Sequence, residues 1–138
     1  MSIVIENKQH LKELVEECFW ADTKEEYDEK VNNLSDVYKD INNWDISNVN
    51  DLSDIFLNYK FFNQPLNNWD VSNVTNMSSM FNNAKSFNQP LNNWEIDCSN
   101  TKINGMFYNA TSFNQPLNNW YNIDPAVDMF SEYNDDEE

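Results

Sequence analysis

Residues 66–90 read LNNWDVSNVTNMSSMFNNAKSFNQP, and the stretches on both sides are imperfect copies of them. Residues 41–65 read INNWDISNVNDLSDIFLNYKFFNQP, and residues 91–116 read LNNWEIDCSNTKINGMFYNATSFNQP. A truncated copy, LNNWYNIDPAVDMF, occupies residues 117–130. We call these copies units 1 to 4 in chain order. A fixed period of this kind is the sequence signature of a repeat protein, in which each unit packs on its neighbours.

The tryptophans mark the period of the repeat. They lie 25, 25 and 26 residues apart, at Trp44, Trp69, Trp94 and Trp120. Unit 3 therefore carries one inserted residue, which falls between positions 97 and 102. Upstream of unit 1, residues 34–38 (LSDVY) match the pattern of residues 52–56 (LSDIF), so the array is predicted to begin near Leu34.

Each unit contains the pattern of a strand followed by that of a short helix. Trp69 and Val71 alternate with polar residues, as in a half-buried strand. Apolar residues at spacings of three and four within 75–81 indicate one or two helical turns, and Pro90 fixes φ in the return loop. The sequence therefore predicts an α/β fold: a short leucine-rich-repeat-like solenoid with parallel strands beginning near the four tryptophans, and a helical N-terminal cap.

Aromatic residues recur at equivalent positions of the units and are predicted to form columns inside the protein. A core is a better explanation of these columns than a ligand site. Besides the tryptophans, the columns are Phe56, Phe81, Phe107 and Phe130, and Phe62, Phe87 and Phe113. The paired asparagines at the start of each unit are predicted to bond backbone groups in turns, with sugar or metal binding as the less favoured alternative.

Residues 62–81, FNQPLNNWDVSNVTNMSSMF, carry a family resemblance. Over residues 63–81 the chain is similar, nearly letter for letter, to the BspA-like leucine-rich-repeat family, whose units are roughly 26 residues long. The resemblance extends over about residues 34–130. It implies a solenoid without catalytic residues and a role in adhesion and protein binding, since members of that family are mostly bacterial surface or secreted proteins.

The segments outside the repeats divide the chain into three parts. Residues 1–33 are predicted to be a helical N-terminal cap, because five apolar residues share one helix face and Thr23 opens a capping box with Glu26. The alternative for this segment is a helical partner-binding arm. Residues 34–130 form the predicted solenoid of about four repeats. Residues 131–138 form a predicted acidic C-terminal tail that covers the other end.

The charge balance restricts the partners. The chain has 24 acidic residues against 8 basic ones, all lysine, for a net charge of −16. Nucleic acids and anionic membranes require clustered cations, so neither is an expected partner, and a protein with a basic surface is favoured. The N-terminus shows no signal-peptide pattern, which predicts a cytoplasmic monomer, or a surface or secreted protein if a signal peptide was removed. Cys18 and Cys98 are predicted to be reduced.

No constellation for catalysis, cofactor binding or metal binding is apparent in the sequence. The only glycine, Gly105, excludes phosphate-binding loops that need several glycines. His10 has no catalytic partner, and the Cys and His residues lack zinc-ligand spacing. Residues 45–51 lack the glycine and glutamate of a calcium loop. The chain is therefore predicted not to be an enzyme and to bind no cofactor.

The residue after each tryptophan is the predicted partner-binding position. Alternation turns this residue away from the core, so Asp45, Asp70, Glu95 and Tyr121 are expected to line an exposed face. Adjacent like charges repel, and a purely structural position would not need to carry them. The alternative is that these acids only keep the protein soluble and monomeric.

Two functions are consistent with these features. One is a non-catalytic protein–protein interaction module that presents an acidic surface to a partner. The other is a dedicated acidic inhibitor, such as an immunity protein or a phage-type blocker of a nuclease or toxin, whose charge mimics nucleic acid or blocks a basic site.

Overall fold

The fold is described here from a computed structural model, which describes residues 2–133. Residues 134–138, the greater part of the predicted acidic tail, lie outside the described residues. The regular elements are α1 (Lys8–Phe19), α2 (Lys24–Asn32), α3 (Asp36–Lys39), a 3-10 turn (Ile41–Asn43), β1 (Ile96–Asp97) and β2 (Trp120–Tyr121). The two strands are parallel, with Ile96 opposite Trp120 and Asp97 opposite Tyr121.

The predicted fold class is wrong. Instead of an α/β leucine-rich-repeat-like solenoid with four parallel strands, residues 2–133 contain a single two-stranded sheet, and each strand has two residues. The three α-helices all lie before residue 40. Units 1 to 4 consist mainly of turns and irregular backbone.

Side-chain turns explain why the strands after the tryptophans are missing. The Asp45 carboxylate accepts hydrogen bonds from the Ser47 amide at 3.0 Å and from the Ser47 hydroxyl at 2.6 Å. Asp70 makes the same pair of bonds with Ser72. An aspartate that bonds the backbone two residues on bends the chain, which ends the extended segment soon after each tryptophan.

Left-handed residues explain why the predicted helical turns are missing. Each of the first three units has two residues with φ between 57° and 67°, at equivalent positions: Asp54, Ser79 and Gly105, and Asn58, Asn83 and Asn109. A right-handed helix requires negative φ, so these residues interrupt it and produce tight turns. The apolar spacing within 75–81 therefore reflects successive turns that bury their apolar side chains.

The units nevertheless contact one another at equivalent residues. Phe81 lies 5.5 Å from Phe56 and 5.6 Å from Phe107 between ring centroids, with nearly parallel planes. In the second column, Phe87 stacks on Phe62 at 6.1 Å and on Phe113 at 6.0 Å. The columns form the core as predicted, with two departures: Phe113 is only partly buried, and Phe130 is 58% exposed.

Polar groups also connect successive units. The amide of Phe81 donates to the Met106 carbonyl at 2.9 Å, as Phe56 does to Met80. The indole Nε1 of Trp94 donates to the Leu66 carbonyl at 3.0 Å. Asparagine side chains accept from backbone amides one unit later, as in the 2.9 Å bonds of Asn68 to Asn42, Asn93 to Asn67 and Asn88 to Asn63. The backbone-bonding role predicted for the asparagines is confirmed.

Helix α1 packs against the start of unit 1. Its buried face is Leu11, Val15, Cys18 and Phe19. The Phe19 ring lies 6.2 Å from Trp44 and 5.4 Å from Phe62. Ahead of the helix, the Ile5 amide donates to the Asp45 carbonyl at 2.9 Å. Burial raises the pKa of the Cys18 thiol to about 11, so this thiol stays protonated at neutral pH.

The Thr23 cap predicted at the start of α2 is present, although Glu26 accepts from the Asp22 amide at 3.2 Å and not from that of Thr23, and the cap yields a stability prediction. The Thr23 hydroxyl accepts from the Glu26 amide at 3.1 Å. Thr23→Ala should lower the free energy of unfolding by about 1 kcal/mol, because that amide loses its partner. Urea denaturation measures the change. Ser35→Ala is the matched control, since Ser35 occupies the same position in α3 and makes no side-chain capping bond. Equal costs for the two variants would contradict the prediction.

Candidate protein interface

The four predicted partner-binding residues are all on the surface. Asp45, Asp70, Glu95 and Tyr121 are exposed, and each follows a tryptophan that is at most 5% exposed. Tyr121 is 53% exposed. In all four units a buried tryptophan is thus followed by an exposed residue, as predicted. Only Trp120 and Tyr121 of these pairs lie in a strand.

Asp45 and Asp70 are fixed in orientation and ionised. The hydroxyl and amide of Ser47 hold the pKa of Asp45 below its usual value. The equivalent groups of Ser72 lower the pKa of Asp70, while the neighbouring Asp45 charge opposes this shift. The two carboxylates are thus close enough to repel each other, and the serine bonds stabilise both in the charged form.

Asp97, which sequence reasoning missed, takes this role in unit 3. Its carboxylate accepts from the Ser99 hydroxyl at 2.7 Å and from the Asn122 amide group at 3.0 Å, and these bonds lower its pKa. The predicted residue, Glu95, has no hydrogen-bond partner among residues 2–133. Tyr121 lies opposite Asp97 in the sheet, not opposite Glu95.

A repeated Asp-x-Ser pattern could have revealed Asp97 from the sequence. The pattern follows the tryptophans as DIS at 45–47, DVS at 70–72 and DCS at 97–99, and it occurs once more as DLS at 51–53. In unit 3 the pattern begins three residues after the tryptophan instead of one, so counting from Trp94 selects Glu95. We call Asp45, Asp70, Glu95, Asp97 and Tyr121 the acidic face.

Cations neutralise little of the negative charge. Among the described residues there are two salt bridges, Lys8 with Asp51 and Lys24 with Asp28. Neither involves the acidic face.

The described residues also bear on metal binding and on the histidine and cysteines. In that range no group of three or more His, Cys, Asp or Glu side chains is arranged to hold a metal ion. His10 accepts a hydrogen bond from the Glu6 amide at 3.1 Å, which is a local helix-start contact. Both cysteines are free. No helix in the same range is long and apolar enough to cross a membrane.

These features define a class of protein: one built from short sequence repeats, in which equivalent residues of successive units are in contact and the acidic face is on the surface. A family model described as "Mycoplasma protein of unknown function, DUF285" matches residues 25–138, and the chain belongs to that family. No curated protein matches the chain, and no solved structure matches it either.

Proposed function

We propose that the protein is a non-catalytic interaction module whose acidic face binds a partner protein with a basic surface. The observation that carries the proposal is the row of serine-held carboxylates at Asp45, Asp70 and Asp97. Holding a carboxylate in one orientation reduces the entropy lost when a cationic side chain binds it. The resemblance to BspA-like proteins, whose members are associated with protein binding, supports the same function.

The electrostatics favour rapid association with a basic partner. A net charge of −16 attracts cations over the whole surface and raises association rates at low salt. The Debye length falls from about 10 Å at 0.1 M salt to about 3 Å at 1 M, so binding of this kind weakens as salt rises. Salt sensitivity is therefore a property that the partner complex must show.

A double charge reversal tests the acidic face. The protein is immobilised, proteins from its native host are passed over it, and the retained ones are identified by mass spectrometry. Asp70→Lys with Glu95→Lys should lower the retained partner's affinity at least tenfold, because two attractive charges become repulsive. Both positions are exposed, so the core is untouched, although Asp70→Lys removes the two bonds to Ser72.

Glu17→Lys with Glu29→Lys is the matched control, because it makes the same change in net charge on exposed helix residues. It should leave affinity within a fewfold of the unsubstituted protein. Equal losses for both double variants would show that only net charge matters. Unchanged affinity in Asp70→Lys with Glu95→Lys would move the site away from the acidic face.

Inhibition of a nuclease or toxin is the second candidate function. The observation that favours it is the density of negative charge, 24 acidic side chains in 138 residues, which resembles that of a nucleic acid ligand. Assaying the captured partner decides between the two. Loss of nuclease or toxin activity on addition of the protein supports an inhibitor, and retained activity supports the interaction module.

A further inference from the structure

A series of parallel backbone bridges connects the first three units. Asp51 pairs with Asn76, and Asn76 pairs with Lys102. In the first bridge, the Asn50 carbonyl accepts from Thr75 at 2.8 Å and the Leu52 amide donates to Asn76 at 2.8 Å.

The second bridge, one unit later, keeps the spacing on the earlier unit but uses a single residue, Lys102, of the later one. The Thr75 carbonyl accepts from Lys102 at 3.0 Å, and the Met77 amide donates to Lys102 at 2.8 Å. Each bridge thus uses one carbonyl and one amide, two residues apart, on the earlier unit.

Unit 4 does not continue the series. It stays paired with unit 3 as far as the 2.8 Å bond from the Cys98 amide to the Tyr121 carbonyl. Asn122, with φ of 57°, then turns the chain away, and backbone pairing resumes only where the Gly105 amide donates to Asp128 at 3.1 Å. The cause is length, since 13 residues separate Trp94 from Phe107 but only 10 separate Trp120 from Phe130.

The groups that would form the third bridge are therefore unpaired. Within residues 2–133, neither the Thr101 carbonyl nor the Ile103 amide has a hydrogen-bond partner, although both residues are at least 92% buried. An open groove of about 440 Å³ lies beside them. Its lining includes Thr101, Ile103, Asn122, Asp124 and Val127. The groove thus combines an apolar surface with a backbone donor and acceptor in the spacing of the two preceding bridges.

We propose that an extended segment of a basic partner protein occupies this groove and forms the third parallel bridge. The segment donates one amide to the Thr101 carbonyl and accepts from the Ile103 amide with one carbonyl, as Thr75 and Asn76 together do for unit 1 and Lys102 alone does for unit 2. Addition of a strand to an open edge is a general mode of peptide recognition. The proposal rests on the proposed function, because it specifies how part of the partner is bound.

Charge determines which occupant fits. The groove lining holds one anion, Asp124, and one cation, Lys102, and the ionised Asp97 directly before its Cys98 wall makes the balance at this edge negative. Lysine or arginine residues flanking the added segment are therefore favourable. A second copy of the chain would bring a second net charge of −16 to the same edge, and this repulsion disfavours self-association.

A peptide copied from unit 2 is the probe. Residues 74–78 (VTNMS) already form bridges to both neighbouring units, so the fluorescein-labelled peptide KKVTNMSKK carries the right backbone register with flanking cations. Fluorescence polarisation in low salt should show saturable binding with a dissociation constant below about 1 mM. The control peptide KKVPPMSKK has the same charge but lacks the amides at the positions of Thr75 and Asn76, the two positions that donate in the preceding bridges. It should bind at least tenfold more weakly.

Two measurements on the protein locate the peptide. Hydrogen exchange should slow at the Ile103 amide when KKVTNMSKK is bound and should not change with the proline peptide. Val127→Trp should fill the groove and abolish peptide binding. Glu29→Trp is the control, because it adds the same side chain at an exposed helix position away from the groove lining.

The outcomes separate this proposal from the proposed function. Equal binding of the two peptides, lost together in high salt, overturns the bridge while leaving the acidic face as a cation-binding surface. Failure of both peptides to bind overturns the bridge, and partner capture still tests the acidic face on its own. A dimer in sedimentation that protects Ile103 without any peptide would assign the edge to a second copy and overturn the heterologous partner.

Discussion

Phe81→Ala is expected to lower the free energy of unfolding by about 3–5 kcal/mol, the range for deleting a fully buried aromatic ring. Phe81 is completely buried. Its ring stacks between Phe56 and Phe107 and lies 4.2 Å from Phe87. Alanine would leave a cavity that rings on three sides cannot fill without breaking their own contacts. Urea denaturation followed by tryptophan fluorescence measures the loss.

Phe130→Ala is the matched control, because Phe130 stands in the same column at its end. Its ring contacts Phe107 at 5.8 Å, and 58% of the residue is exposed. Its removal should cost less than about 1 kcal/mol, as is usual for surface positions. Similar costs at the two positions would mean that stacking within the column does not determine stability.

The sequence was sufficient to predict which residues pack together. Repetition at a fixed period places Phe56, Phe81 and Phe107 in equivalent positions, and burying them needs only that the units pack in register. The same logic assigned backbone-bonding roles to the asparagines. At the N-terminus, apolar residues at helical spacing and the Thr23 capping box marked α1 and α2.

The local backbone could not be predicted in the same way. Alternation around Trp69 and Val71 is the same whether the chain continues as a strand or bends two residues later at the Asp70–Ser72 turn. The sign of φ is equally hidden, because Asp54 and Ser79 adopt left-handed conformations that their residue types only weakly favour. The apolar spacing of a strand or a helix therefore also occurs where successive turns bury the same apolar residues.

For the candidate site, the sequence predicted which residues are exposed, but it did not predict how they are arranged. Asp45 and Asp70 were found because they follow the tryptophans directly. Asp97 was missed because the turn of unit 3 begins three residues after the tryptophan instead of one. The groove beside Ile103 was missed because it depends on a difference in length between two units, which appears only when their paired backbones are followed to the point where they separate.

Gly105→Ala is expected to destabilise the protein through two separate effects. Gly105 has φ of +60°, and a left-handed conformation costs a residue with a side chain about 1–2 kcal/mol. A Cβ at this position would also lie 2.7 Å from Tyr133 Cβ and 3.0 Å from the Ser131 carbonyl oxygen. Relieving a contact of this kind in a packed site costs about 1–3 kcal/mol more.

Removal of the C-terminal segment separates the two effects. Asp54 and Ser79 show that side chains are accepted at the equivalent position of units 1 and 2, so the special requirement for glycine in unit 3 comes from the segment that packs on it. Lys102 holds this segment by donating to the Tyr133 hydroxyl at 3.2 Å. In a chain ending at residue 130, Gly105→Ala should cost only the conformational part, about 1–2 kcal/mol. If urea denaturation gives the same loss in both backgrounds, the packing of Tyr133 against Gly105 contributes nothing to stability, and backbone conformation alone explains the glycine.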